Sequence, residues 1–315
     1  MKFKVFIDGK EGTTGLQIFE RFEKRKDIEL LEIKEELRKD LEERKKCINE
    51  SDITFLCLPD QASIEAVSLL NNSHTKIIDA STAHRTLPNW AYGFPELGDD
   101  FREKIKTNQL VAVPGCYASG FQAIVYPLIK LGIAKKDYPF TVNAISGYSG
   151  AGKKGIAQYE DLNRDKEFDA PRLYAMGQMH KHLKEMKAIS GLDKEPLFNP
   201  YVCDFYKGML VTVPLYTNLL NIKITPKELH KKLSDYYKNQ KFVKVMPFNE
   251  LGTESGFLSA NHLSGKDYLE IYVSGNEERI SITSCLDNLG KGASGAAVEC
   301  MNIMLGLPDD LGLNL

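Results

Sequence analysis

The sequence predicts an α/β protein, with a parallel-sheet domain first and an α+β domain after it. Three observations carry this. From residue 3 to residue 79, short apolar runs alternate with longer amphipathic stretches, the rhythm of strands and helices. Several of those runs, such as Ile53-Thr54-Phe55-Leu56-Cys57-Leu58, are apolar throughout, as parallel strands covered on both faces by helices are. Gly9, Gly12 and Gly15 fall between the first run and the first helix, where a Rossmann-type sheet turns its chain.

The elements follow in order. Residues 3–7 read as a strand, 13–26 as a helix and 28–33 as a second strand. Residues 38–49 read as a helix, 53–58 as a buried strand stopped by Pro59, 61–71 as a helix and 76–79 as a strand. Right-handed crossovers then put helices on both sides of the sheet. Leu110-Val111-Ala112-Val113 is a further strand, leading through Pro114-Gly115 to Cys116, and residues 117–131 have the spacing of a long buried helix. Beyond it the pattern changes to strands at 140–145, 208–214, 242–246, 268–273 and 280–285, with a helix at 226–237. A last helix at 292–305, rich in small residues, is expected to pack back on the first domain. The expected domains are therefore 1–115 with 290–315, and 116–289.

Composition narrows the function. The chain has 315 residues, more than one ordinary core needs, with 43% hydrophobic and 27% charged residues, ordinary globular usage. Forty-one basic residues against 43 acidic ones leave a net charge of −2, which gives no electrostatic reason to expect nucleic acid. No leader pattern opens the chain, and no stretch approaches the roughly 18 to 20 apolar residues of a membrane span. A cytosolic protein, away from membranes, is expected. Six cysteines are scattered with no C-x-x-C pairing, so reduced thiols are expected, with neither a disulfide framework nor a metal site.

The βα turn at Gly9-x-x-Gly12-x-x-Gly15, with Thr13 and Thr14 opening the helix, suits a pyrophosphate. Glycine lets the backbone approach, and helix-terminal N–H groups meet the anion. After the second strand, Lys34, Arg38 and Lys39 are placed to receive the 2'-phosphate of NADP. Glu35 and Glu36 lie among them, so the same stretch also reads as a solvated mixed-charge helix start.

Cys116 follows Pro114-Gly115 at the start of a helix, where backbone donors and the helix dipole stabilise a thiolate. Cys57, Cys285 and Cys300, inside apolar runs, read as small core residues. A reacting carbonyl beside such a thiolate needs a proton donor, and His180 and His182 are the candidates. On a helix only one of them faces the sulfur; in an extended run both do. Arg85 is the first choice for gripping a phosphoryl group, since a guanidinium presents paired donors. Residues 146–152 read as a glycine-rich turn whose backbone can form an anion nest, with Lys153 beside it, and equally as an ordinary flexible loop.

Several runs resemble the short form of N-acetyl-gamma-glutamyl-phosphate reductase, of the phosphorylating semialdehyde dehydrogenase superfamily. They are Gly9-Lys10-Glu11-Gly12-Thr13-Thr14-Gly15, Asp79-Ala80-Ser81-Thr82-Ala83-His84-Arg85 and Tyr92-Gly93-Phe94-Pro95-Glu96-Leu97 in the first domain. Pro114-Gly115-Cys116-Tyr117-Ala118-Ser119-Gly120 and Ser146-Gly147-Tyr148-Ser149-Gly150-Ala151-Gly152 follow. His180-Lys181-His182-Leu183-Lys184-Glu185 and Asp287-Asn288-Leu289-Gly290-Lys291-Gly292-Ala293-Ser294-Gly295 complete the set. One departure is Val113, where the family usually carries Asn before Pro-Gly-Cys.

The resemblance implies an NADP(H)-dependent enzyme of arginine biosynthesis. It would reduce N-acetyl-L-glutamyl 5-phosphate to the 5-semialdehyde and inorganic phosphate through a thioester on Cys116. It also implies Asn288 and Gly292 near the nicotinamide, and a homodimer or homotetramer built through the catalytic and oligomerisation domain. Glu185 would orient a histidine or bind substrate, and also reads as a surface carboxylate. Rival readings are an aspartate-semialdehyde dehydrogenase, which places Asn directly before its cysteine where Gly115 stands here, a lysine-pathway acyl-phosphate reductase, and a non-catalytic NADP-binding sensor.

Overall fold

The computed structural model describes residues 2–315. They form two compact units, Met1–Gly115 with Ala293–Leu313, and Cys116–Gly292 with Asn314–Leu315.

In the first unit the chain runs β1 (Phe3–Asp8), α1 (Thr13–Phe22), β2 (Ile28–Leu31), α2 (Leu41–Glu50), β3 (Ile53–Leu56), α3 (Asp60–Ser68), β4 (Lys76–Asp79), β5 (Ala91–Tyr92), α4 (Asp99–Thr107) and β6 (Leu110–Ala112). The strands form one sheet in the order β2-β1-β3-β4-β6-β5, every neighbouring pair parallel. With β2 on one side of β1 and β3 on the other, the sheet changes its direction of growth between β1 and β3. Ligands of open α/β sheets bind beyond the strand C-termini at such a switch.

Alternation along β1 sends Val5 and Ile7 into one apolar cluster with Ile18, Phe22, Phe55 and Val111, and Phe6 into another with Ile48, Leu56 and Ala66. Both sheet faces are thereby covered, each large side chain contributing roughly 1.5–3 kcal/mol of burial. The closing helix Gly295–Leu305 adds Ala297, Val298, Met301 and Ile303 to the first cluster. Lys76 Nζ donates to the Met304 carbonyl in its last turn.

Some boundaries differ from the sequence expectation. Helix α1 stops at Phe22 rather than 26, and Arg25 beyond it donates to Asp27 and Asn302 instead of extending the helix. Helix α2 starts at Leu41 rather than 38, because the Asp40 side chain accepts from the Glu42 and Glu43 amides as an N-cap. The closing helix starts at Gly295 rather than 292, behind a π-helical turn over Gly290–Ser294.

The second unit contains α5 (Cys116–Lys130), β7 (Thr141–Gly147), α6 (Gly152–Glu160), β8 (Arg172–Leu173), α7 (Leu183–Ser190), β9 (Leu197–Cys203), β10 (Met209–Tyr216), α8 (Pro226–Tyr237), β11 (Val243–Val245), β12 (Leu269–Gly275) and β13 (Arg279–Leu286). Its mixed sheet has the order β11-β12-β13-β10-β7-β9-β8. Strand β9 escapes the apolar pattern because Asn199 and Pro200 interrupt it, yet it lies parallel to β7 over its full length. Helix α8 opens on a capping box between Thr225 and Glu228. Among the described residues, no helix is long and apolar enough to cross a membrane.

Candidate active site

The turn after β1 is shaped for close approach. Gly9 has φ +85°, and a Cβ there would stand 2.5 Å from the Cys57 carbonyl oxygen at the end of β3. A Cβ on Gly15 would stand 2.4 Å from the Gly9 carbonyl oxygen. Both positions therefore admit only glycine, and the two strands and α1 meet without side chains between them. Gly12 caps α1 with no side-chain hydrogen bond to its first amides, so those of Thr13 and Thr14 head an uncapped helix end.

Beside the turn lies a cleft of about 210 Å³ lined by Gly9, Lys10, Glu32, Glu35, Arg38 and Lys39 among others. Arg38 pairs with Glu35 at 2.7 Å and Lys10 with Glu32 at 2.6 Å. Lys34, expected with them, lies outside the lining and precedes a short 3-10 turn. The turn is free of side chains, and Lys10, Arg38 and Lys39 are the cations of the cleft lining beside it.

Three residues before the second unit, Val113 follows β6, and Arg85 holds this exit from the strand. Arg85 is buried, its Nε donating to the Val113 carbonyl at 2.8 Å and Nη2 to the Ala80 carbonyl at 3.1 Å. At least two of its five donors are thus spent on backbone, and Arg85 braces the 79–85 run against the exit of β6. Nearby, the fully buried Asp79 carboxylate accepts from Ser63, from the amide and hydroxyl of Ser81, and faces His84 Nδ1 at 2.6 Å. His84 stacks on Trp90 with ring centroids 4.1 Å apart. The 79–85 run is braced by these bonds, with Asp79, Ser81, His84 and Arg85 buried.

In the second unit, Cys116 is the first residue of α5. From residue 111 to residue 125 every residue is buried except Cys116, which is half-buried. Cys116 alone keeps partial exposure in an otherwise buried run. Gly292 packs against it, since a Cβ there would lie 2.9 Å from the Cys116 Cβ. Elsewhere burial pushes the Cys285 thiol up to about 12 and raises those of Cys47, Cys57 and Cys203.

His180 and His182 precede α7 rather than sharing a helix face. Both rings meet Tyr117, at centroid distances of 5.7 and 5.9 Å, and lie 4.6 Å from each other. Sequence reasoning missed the rest of this cluster. Tyr174 donates its hydroxyl to that of Tyr117 at 2.9 Å. Burial pushes the Tyr117 hydroxyl well above its ordinary range, and Tyr174 and Cys116 stand near enough to add to the effect. Phe198 closes the group, 5.1 Å from Tyr117 and 5.2 Å from His180. Only the place of Tyr117 next to Cys116 was a signal in the sequence.

Glu185 is buried in the first turn of α7, not on the surface, and Gln122 of α5 donates to its carbonyl at 3.2 Å. The 146–150 run is not an open nest. The amides of Gly147, Tyr148 and Ser149 donate to the Gly208, Phe205 and Tyr206 carbonyls. Ser146 and Ser149 are buried, and a Cβ on Gly150 would sit 3.3 Å from the Ser146 hydroxyl. Lys153 is exposed near the start of α6. Asn288, expected at the nicotinamide, is buried with its Oδ1 accepting from the Gly208 amide at 2.8 Å and its Nδ2 donating to Ser149 at 2.9 Å. Among the described residues, no group of three His, Cys, Asp or Glu side chains is arranged to hold a metal.

A parallel-sheet unit with a glycine turn at its switch point, followed by a unit that opens on a helix-terminal cysteine whose neighbour Tyr117 meets a histidine pair, defines the class of a two-unit dehydrogenase. Comparison with known proteins agrees. Residues 4–107 match the model of the semialdehyde dehydrogenase NAD binding domain, and residues 116–288 that of the semialdehyde dehydrogenase dimerisation domain. The chain is 48% identical to N-acetyl-gamma-glutamyl-phosphate reductase 2 of Nostoc sp., over 99% of both chains. It is 46% identical to the N-acetyl-gamma-glutamyl-phosphate reductase of Brucella ovis, over 97% of this chain and all of that one. In fold it is similar to aspartate semialdehyde dehydrogenase of Francisella tularensis, with TM-score 0.69 and 16% identity over 96% of this chain and 100% of that one. The second such enzyme of Vibrio cholerae matches at TM-score 0.68 and 16% identity, over 97% and 99%. The chain belongs to the semialdehyde dehydrogenase family, among its N-acetyl-gamma-glutamyl-phosphate reductases.

Proposed function

We propose that this protein reduces N-acetyl-L-glutamyl 5-phosphate to N-acetyl-L-glutamate 5-semialdehyde, releasing inorganic phosphate, in arginine biosynthesis. The observation that carries the reading is the half-buried Cys116 at the head of α5, in a unit that also gathers His180 and His182. Full-length similarity to relatives bearing that reductase name supplies the substrate.

The Cys116 thiolate attacks the acyl-phosphate carbon. Its electron pair forms the C–S bond while the C–O bond to phosphate breaks, leaving a thioester and inorganic phosphate. NADPH, when bound, supplies the reducing equivalent for this thioester. One of the two histidines gives a proton to the oxygen as negative charge gathers there, and takes one back as the aldehyde departs and the thiolate is restored. The Gly9, Gly12 and Gly15 turn with the Thr13 and Thr14 amides would hold the pyrophosphate, and Arg38 and Lys39 the 2'-phosphate. Lys153 is the candidate cation for the substrate phosphate. Asn288 and Ser149 act as a brace for the neighbouring turn, and Glu185 supports the histidines from α7.

The reading extends to a homodimer or homotetramer formed through the second unit, supported by the match of residues 116–288 to a dimerisation domain. It extends also to a cytosolic location, the expectation raised by six scattered cysteines without C-x-x-C pairing.

The test follows NADPH oxidation with N-acetyl-glutamyl phosphate and, separately, aspartyl phosphate, for the wild type and Cys116→Ala. Turnover of the first substrate alone, abolished in the variant, is expected, together with an acyl adduct on residue 116 by mass spectrometry. Preference for aspartyl phosphate, or full activity without the sulfur, would overturn the reading.

A further inference from the structure

His180 and His182 lie on the irregular run between β8 and α7, and one side chain ties that run to the sheet. Gln178 makes two hydrogen bonds to a single residue of β9: its Nε2 donates to the Phe198 carbonyl at 2.9 Å, and its Oε1 accepts from the Phe198 amide at 2.8 Å. A primary amide offers donor and acceptor side by side with no charge, so it substitutes for the strand neighbour that β9 lacks at this point. The backbone is bent to bring it there. Ala175 and Gln178 both adopt left-handed conformations, φ 53° and 54°, which non-glycine residues enter only at a cost. The Gln178 amide closes the bend by donating to the Ala175 carbonyl at 2.9 Å.

Phe198 is gripped on its other side as well. Its ring meets those of His180 and Tyr117, so the residue whose backbone Gln178 clamps is the one against which the histidine packs. The His182 amide then donates to His180 Nδ1 at 3.1 Å. An amide N–H can only donate, so neutral His180 carries its proton on Nε2.

We propose that Gln178 is the positioning residue of the histidine turn: by clamping the Phe198 peptide groups it holds His180 and His182 against Tyr117 and keeps His180 in the Nε2–H tautomer. The inference rests on the acid-base role proposed above for the histidine pair. Gln178 acts through those rings, not on the substrate.

Two variants and two readouts test it. Gln178→Ala is expected to lower kcat roughly tenfold to a hundredfold, the loss that misplacing a catalytic group by about an ångström brings. NADPH affinity, measured by its fluorescence, should stay within about twofold, since the lost interaction is not one that binds the dinucleotide. Gln178→Glu separates positioning from bulk. A protonated carboxyl restores both donor and acceptor whereas an ionised one only accepts. Its kcat relative to wild type should therefore rise as pH falls from about 6 toward about 4.3, where an exposed carboxyl takes up its proton, while the ratio for Gln178→Ala stays flat. Independently of turnover, 15N spectra of the histidine rings should show the Nε2–H pattern of His180 in the wild type and its loss in Gln178→Ala. Wild-type kcat with an unchanged ring pattern in that variant overturns the proposal. So does a fall in kcat matched by an equal fall in NADPH affinity with the ring pattern intact. If His180→Asn and His182→Asn both turn over normally, the acid-base reading fails, and the ring pattern still decides the clamp.

Discussion

Arg85 donates from Nε to the carbonyl of Val113 at 2.8 Å, gripping from behind the strand exit that leads, three residues on, to Cys116. The resemblance leads one to expect Asn before Pro-Gly-Cys, and here the apolar Val113 stands there with its backbone held instead. Arg85→Lys keeps the charge and loses the fork that reaches both Val113 and Ala80. We expect it to slow alkylation of Cys116 and to lower stability by about 1–3 kcal/mol for each buried carbonyl left without its donor. Iodoacetamide labelling rates and urea unfolding measure the two effects; a variant with wild-type values in both would show that the grip is dispensable.

Gly9→Ala places a Cβ 2.5 Å from the Cys57 carbonyl in a left-handed conformation, so β1 and β3 must part where the cleft begins. NADPH binding should weaken at least roughly tenfold, the loss of about 1.4 kcal/mol. Titration of NADPH fluorescence checks this, and an unchanged dissociation constant would remove the turn from the binding site.

Arg38 and Lys39 rim the same cleft, Arg38 already paired with Glu35. If these cations receive the 2'-phosphate, the double variant Arg38→Ser, Lys39→Ser should lose roughly tenfold to a hundredfold in kcat/KM for NADPH, from charge-assisted bonds of about 1.5–3 kcal/mol, and little for NADH. Equal losses for both cofactors would assign the two residues to the solvated helix start that the sequence equally allowed.

What the sequence made legible follows from how local each signal is. Strand β4 was read to its last residue because Lys76-Ile77-Ile78-Asp79 is short, apolar and bounded, and Cys116 stood out because strand, Pro-Gly turn and helix are consecutive. Helix α4 was passed over: of Asp99–Thr107 only Ile105 is buried, so no apolar face announces it. Strand β9 hides behind Asn199-Pro200, which tertiary pairing with β7 overrides. The site repeats this division. Residue type singled out the cysteine, the histidines and Arg85, but what a guanidinium or a glutamine grips depends on which distant carbonyls the fold brings within 3 Å, and Tyr174 and Gln178 had no pattern to mark them.

Buried thiols and phenols make stability depend on pH in a definite direction. Burial holds Cys285 at about 12 and raises Tyr272, Tyr117 and Tyr174, so these groups stay protonated in the folded chain where the unfolded chain ionises them. Above about pH 8.5 the unfolded state therefore binds fewer protons, and each such thiol removes up to about 1.4 kcal/mol of stability per pH unit until its folded value is reached. Unfolding free energy from urea melts at pH 7.5, 9 and 10 should fall steadily, and Cys285→Ser, whose hydroxyl does not titrate in this range, should flatten the slope. A profile level to pH 10 would mean that water reaches these groups.

Asn288 shows the cost of a brace. Its carboxamide joins the Gly208 amide to the Ser149 hydroxyl, and the amides of Gly147, Tyr148 and Ser149 are themselves bonded to the 205–208 segment, so one side chain locks two turns of the second unit together. Asn288→Ala leaves the buried Gly208 amide without an acceptor and should cost about 1–3 kcal/mol. Asn288→Asp keeps that acceptor, and Ser149 can turn its hydroxyl to donate to the carboxylate, but the new charge is buried. The expected order of stability is wild type, then Asp, then Ala near pH 5, where protonation relieves the charge, with Asp falling toward Ala as pH rises to 8. Thermal melts at the two pH values decide it: an aspartate variant as stable as wild type at pH 8 would place position 288 in water rather than in the interior.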